Sequence, residues 1–140
     1  AERYRALVAQ RGLAQAVTLP GRIAYSEASR WLRLGQVAVS PKQSLTEAHG
    51  KLLNYMACGL PTVATDTPVN RELLGEAGVY APVGGVRALA DRLIELLHDE
   101  PRRATLSSAL RERAEREFEG SLQGFRVQHV GRLSARRTYS

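Results

Sequence analysis

The chain has 140 residues, 44% of them hydrophobic, enough for one domain around one apolar core. No apolar run nears the roughly 18 residues that cross a bilayer, the charged opening AERYRALVAQRG lacks the apolar centre of a signal peptide, and the single cysteine, Cys58, forms no internal disulfide. The net charge is +6, and of the 20 basic residues only Lys42 and Lys51 are Lys, the rest Arg.

In chain order, ERYRALVAQRGL (2–13) has the apolar spacing of a helix, stopped by Gly12. AVTLPG (16–21) is expected to form a short strand closed by Pro20 and Gly21. YSEASRWLRLG (25–35) predicts a helix capped by Ser26, with Trp31, Leu32 and Leu34 as its buried stripe. QVAVSP (36–41) is a second short apolar run, ended by Pro41. A polar stretch leads into KLLNYMACGLP (51–61), helical until Gly59 and Pro61. PTVATD (61–66), with β-branched Thr62, Val63 and Thr65, is the third strand, and Pro68 suits the first turn of the helix PVNRELLG (68–75). GVYAPVGG (78–85) is a brief strand and turn, before two long amphipathic helices, VRALADRLIELLHDE (86–100) and PRRATLSSALRERAEREF (101–118), divided at Pro101. Strands alternating with helices imply an α/β fold: a Rossmann-like parallel sheet with helices on both faces.

The basic residues thicken in RVQHVGRLSARRTYS. The chain therefore divides into an α/β part, 1–118, and a basic helix or tail, 119–140. Such a tail suits nucleic acid, anionic lipid or an acidic substrate, and equally plain solvation as an Arg-rich helix. The lack of an initiator Met, with entry directly on a helical pattern, reads as a fragment cut at its N-terminal end.

In open parallel sheets ligands bind at the carboxyl ends of the strands, near helix N-termini. The junction after QVAVSP is the best candidate. Gly50 at a helix start lets backbone N–H groups approach a ligand, and those unpaired groups with the helix dipole favour an anion such as a diphosphate. Lys51 adds positive charge where the dipole alone disfavours it, a penalty a bound phosphate offsets. An ordinary strand-to-helix loop has the same outline. GEAG and VGG do not make a dinucleotide fingerprint, and His49, His98, His129 and Cys58 have no metal-ligand spacing, so neither a cofactor nor a metal is expected.

The ordered series VAVSP, TEAHGKLLNYMACGLPTVATD, PVNRE and GVYAP, with LPGRI upstream and the closing helices ending at Phe118, resembles the donor-binding core of family 4 glycosyltransferases (glycosyl transferases group 1). The resemblance implies the C-terminal half of a two-Rossmann-domain (GT-B) enzyme, retaining, metal-independent, and moving a sugar from a nucleoside-diphosphate sugar to an acceptor hydroxyl. It implies that the backbone of His49, Gly50, Lys51 and Leu52 cradles the donor, and that Arg22 and Ile23 lie beside the base. In the family two Glu residues, with seven residues between them, stand on the donor loop and helix. The second, which holds the ribose, corresponds to Asn54, an uncharged residue still able to donate and accept a hydrogen bond. For the first, beside the transferred sugar, Thr46 stands at strict spacing and Glu47 one residue closer. Glu47 and Lys51 are the expected catalytic groups.

The implied partners are the donor, an unidentified acceptor and an N-terminal domain that carries the acceptor site; a cytoplasmic place with peripheral membrane contact goes with them, and nucleic acid is not expected. Two alternatives stay open: a non-catalytic nucleotide- or partner-binding module of the same fold, with Asn54 marking lost activity, and a basic interaction protein acting through its Arg-rich tail.

Overall fold

The computed structural model describes residues 2–43 and 50–118. Three strands, β1 (Ala38–Ser40), β2 (Thr62–Thr65) and β3 (Val79–Ala81), form a sheet in the order β1-β2-β3, parallel throughout, with Ala38 opposite Thr62 and Val63 opposite Val79. Six helices accompany them: α1 (Glu2–Gln10), α2 (Ala28–Leu32), α3 (Gly50–Ala57), α4 (Pro68–Leu74), α5 (Val86–Leu97) and α6 (Glu100–Glu117). The fold is α/β, as the alternation of elements implied.

β2 is central and all four of its residues are buried. Its side chains alternate between two apolar clusters, because successive strand residues point to opposite faces. Ala64 joins Leu52 and Met56 of α3, Leu73 and Leu74 of α4, and Leu110 and Ala114 of α6. Val63 joins Val79 and Leu96, with Leu89 and Leu93 of α5 packed against them. Both crossover helices, α3 and α4, therefore lie on one face, as connections of a single hand require in a sheet ordered along the chain, and α5 covers the other.

Helix ends follow local chemistry. At Gly59, with φ +64°, the N–H of Leu60 donates to Tyr55 O and that of Gly59 to Met56 O, the bonding of a left-handed helix terminus. Gly12, with φ +67°, ends α1 the same way: Leu13 N–H donates to Val8 O and Gly12 N–H to Ala9 O. Pro68 begins α4 behind Thr67, whose hydroxyl accepts from Asn70 N–H. Pro101 sits inside the first turn of α6, whose cap is Asp99, so the break between α5 and α6 falls at His98–Asp99.

Several arginines do structural work that a charge count cannot show. Arg103 of α6 donates through Nη1 to Leu96 O and Leu97 O, at the end of α5, at 2.7 Å each. Arg113 donates through Nε to Leu73 O at 2.8 Å and through Nη2 to Glu72 O at 2.7 Å, at the end of α4. The last carbonyls of a helix lack intrahelical donors and carry the negative end of its dipole, so a guanidinium there satisfies both. α6 thus closes the C-termini of two neighbouring helices.

Three local expectations are corrected. Residues 16–21 form no strand: Ala16 and Val17 donate to Leu13 O in a turn, and Val17 and Leu19 are exposed. An extended segment needs a ladder partner for its backbone groups, and among the described residues β1 pairs with β2 alone. Ser26 does not cap a helix; it lies within a 3-10 turn, Tyr25–Glu27, and α2 begins after it without a side-chain cap. Trp31 is 42% and Leu34 78% exposed; Leu32 packs on the core, and the fully buried residue of α2 is Ser29. Helical spacing identified a face without fixing what would cover it. The expected tail, 119–140, lies outside the described residues.

Candidate functional site

The carboxyl ends of the three strands, Ser40, Thr65 and Ala81, define one edge of the sheet. α3 starts at this edge with Gly50, Lys51, Leu52. Its first N–H groups lack intrahelical partners by helix geometry. At 100° per residue Gly50, Lys51 and Asn54 fall on one side of α3, while Leu52 and Met56 point to the core, both fully buried. Lys51 is exposed in the first turn, and the turn contains no acidic residue to pair with it. Asn54 is half-buried one turn further on, and its side chain has no hydrogen-bond partner among the described residues. Leu52 has no side chain to offer a ligand; any contact it makes at this edge comes through its backbone N–H.

A Cβ added at Gly50 would meet no atom of the described residues within 4 Å. Packing against those residues therefore gives no reason for glycine here, and Gly50→Ala is expected to leave the melting temperature unchanged or raise stability by up to about 0.5 kcal/mol. Thermal denaturation checks this, and a loss of stability would reveal a contact with the segment before α3.

Arg22 is exposed and Ile23 half-buried, in the irregular segment ahead of the Tyr25–Glu27 turn; no hydrogen bond or ion pair ties either to α3. Glu47 and His49 lie outside the described residues. The edge thus brings together Gly50, Lys51, Leu52 and Asn54 from the sequence-derived set.

On the neighbouring turn, Asp66 follows β2 and forms a two-pronged bond with Arg71 of α4, Nε to Oδ1 at 2.7 Å and Nη2 to Oδ2 at 2.9 Å. The Arg71 guanidinium also lies 4.0 Å over the Tyr80 ring. Its hydrogen bonds hold the Asp66 carboxyl below the usual carboxylate range. A depressed folded-state pKa stabilises above the unfolded value and is lost as pH falls through the folded one. The difference in melting temperature between the wild type and Asp66→Asn is therefore expected at pH 6 and to shrink progressively below about pH 4; a pH series of thermal melts reads it. Burial pushes the Tyr80 phenol up, and its hydroxyl donates to Gly75 O at 2.6 Å. Glu72 is exposed on α4, and its backbone oxygen is one of the two that Arg113 engages.

Sequence reasoning gave Asn70 no role. The residue is 1% exposed, its Nδ2 donates to Thr65 O at 2.8 Å, and its Oδ1 has no partner among the described residues. Nothing in PVNRE distinguishes it, since the contact depends on how the turn after β2 folds back.

A cleft of about 340 Å³ lies at the opposite, amino-terminal edge, lined by Arg33, Gln36, Cys58, Glu100, Arg103 and Ser107 among others. Burial pushes the Cys58 thiol up, against the opposing pull of Arg33, so it is a poor nucleophile. Among the described residues no group of three His, Cys, Asp or Glu side chains is placed to hold a metal ion, and no helix is long and apolar enough to cross a membrane.

A profile of the family described as glycosyl transferases group 1 matches residues 1–99, which take in the whole sheet and the start of α3. The chain belongs to this family. No curated protein matches it significantly. The parallel sheet and the helix start at its carboxyl edge are therefore those of a glycosyltransferase domain, and the family match runs through α5 into the turn that precedes α6.

Proposed function

We propose that this chain is the nucleotide-sugar-binding half of a retaining, GT-B type glycosyltransferase that moves a sugar from a nucleoside-diphosphate sugar to an acceptor hydroxyl. The observation that carries the reading is the start of α3: N–H groups without intrahelical partners, a Gly50 open among the described residues and an exposed Lys51 meet at the carboxyl edge of a parallel sheet in a chain of this family. The donor diphosphate lies against Gly50, Lys51 and Leu52, held by their backbone N–H groups. As the sugar leaves, negative charge grows on the diphosphate, and fixed dipoles with the Lys51 ammonium lower the energy of that state without reorganising. Asn54, one turn along the same side, holds the ribose hydroxyls; Arg22 and Ile23 meet the base, and Glu47 and His49 complete the sugar side.

The chemistry uses no metal or other cofactor. The acceptor is bound by a further domain, the reaction takes place in the cytoplasm, and the basic segment 119–140 gives peripheral contact with a membrane rather than with nucleic acid. On this reading the 140-residue chain alone does not turn over.

Calorimetric titration of the full-length protein with UDP and GDP tests the reading. One of the two should bind, and Lys51→Ala and Gly50→Ala should each weaken it at least tenfold with the fold intact. Binding of neither nucleotide, or binding indifferent to both substitutions, sinks it. A second reading has its own observation: Asn54 stands where the family carries Glu, which fits a module that binds without catalysing. Asn54→Glu in the full-length protein separates them, since turnover that rises marks a weakened enzyme and turnover that stays at zero marks a module.

A further inference from the structure

A polar stripe along α6 meets the cleft at the amino-terminal edge of the sheet. Arg103, Ser107 and Arg111 follow one another at intervals of four residues, so one face of the helix presents all three. Arg103 and Ser107 line the cleft, together with Arg33 from the turn after α2. Arg111 lies at its rim: a Cβ built on Gly59, itself a lining residue, would stand 2.6 Å from Arg111 Nη1 and 2.7 Å from Ser107 Oγ. Leu32, Leu60 and Pro61 make the apolar part of the lining.

Several donors here lack acceptors. Of the half-buried arginines of α6, Arg103 and Arg113 donate to the carbonyls that end α5 and α4. Arg111 is half-buried as well, yet it has no hydrogen bond or ion pair among the described residues, and neither has Arg33. Helix capping therefore does not account for Arg111, although α3 ends beside it with the negative end of its dipole. The Ser107 hydroxyl also has no partner among the described residues, whereas Thr105, exposed on the same helix, donates back to Pro101 O at 3.1 Å. The charge reaches into the cleft, because Arg33 pulls the Cys58 thiol down against the burial that raises it. The acidic residue in the lining is Glu100, which is exposed and screened by water, while Arg103 and Arg111 are half-buried and screened less. A guanidinium without a partner gains a charge-assisted bond from an anion that enters. At about 340 Å³ the cleft falls at the small end of ligand sites.

We propose that this cleft binds a small organic phosphate, with its phosphoryl oxygens on Arg33, Arg111 and the Ser107 hydroxyl and its apolar body against Leu32, Leu60 and Pro61. The site stands at the far end of α3 from Gly50 and Lys51 and does not depend on the donor site proposed above.

Inorganic phosphate and phenyl phosphate, each titrated into the full-length protein at constant ionic strength, test this by NMR at the amides of Gly35, Gly59 and Ser107. Both should shift these amides saturably, and phenyl phosphate should bind at least threefold more tightly because it also covers the apolar lining. Chloride over the same range should leave them in place. Arg33→Gln and Arg111→Gln remove side chains that hold nothing else among the described residues, so the fold persists, and each should weaken binding at least fivefold. Lys51→Ala should leave affinity within twofold. The proposal is overturned if neither probe gives a saturable shift, if chloride gives the same shifts, or if affinity is indifferent to both arginine substitutions. Equal affinity for the two probes overturns the organic ligand. Loss of the shifts in Lys51→Ala overturns the site, because the anion would then lie at the start of α3.

Discussion

Leu52→Ala is expected to lower stability by about 3–4 kcal/mol, because it removes a fully buried side chain and leaves a cavity that its neighbours fill only in part. Leu52 lies where α3, α4 and α6 meet over β2, among Met56, Leu74, Ala64 and Leu110. In a domain of this size the melting temperature should fall on the order of 10 °C. Leu52→Met, which nearly conserves volume, should cost less than about 1.5 kcal/mol. The pair also separates two roles. If Leu52 serves the donor only through its backbone N–H, nucleotide affinity of the folded fraction is unchanged in both variants. Weaker binding by folded Leu52→Met protein would place the side chain at the ligand and contradict its burial.

Gly59→Ala should cost about 2–3 kcal/mol, for two reasons that add. The residue ends α3 at φ +64°, a conformation that costs an L-residue roughly 1–2 kcal/mol. An added Cβ would also stand 2.6 Å from Arg111 Nη1, 2.7 Å from Ser107 Oγ and 3.1 Å from Arg111 Cγ, so α6 side chains must move. The first two atoms are ends of side chains that can swing away, which keeps the steric share to about 1 kcal/mol. Chemical denaturation of Gly59→Ala alone and in an Arg111→Ala background measures the shares. The backbone cost persists in the double variant, and the steric share falls. Equal losses in both backgrounds would assign the whole effect to φ. A loss below about 0.5 kcal/mol would mean that α3 does not end here as described.

These two residues show where the sequence was legible. Gly59 and Gly12 as helix stops and Pro68 as a first-turn residue could be read directly, because each acts through its own φ and its nearest backbone bonds. The chain's place in its family was legible for a similar reason: the residues from VAVSP to GVYAP lie in one continuous order, and the matched span of 1–99 includes them all. Leu52 was expected from the resemblance to serve a donor through its backbone, and its side chain is core. Burial, which the motif does not record, decided which atoms of the residue stay accessible.

Other features depend on partners distant in the chain. AVTLPG has the composition of a strand, and composition cannot supply the neighbouring edge that a strand needs. Trp31 and Leu34 have helical spacing, and only packing shows that Leu32 alone of the three reaches the core. The net charge of +6 reads as surface, while Arg103 and Arg113 spend their donors on the ends of α5 and α4.

By itself, then, the sequence determined the alternation of elements, the helix stops and the helix start at the carboxyl edge, all set by bonds within a few residues. Tertiary structure decided which apolar faces are covered, which arginines are caps and that Asn70 meets Thr65 at the end of β2. These turn on which surfaces come together when the sheet and helices pack, and a free energy shared between distant residues leaves no mark on either one alone.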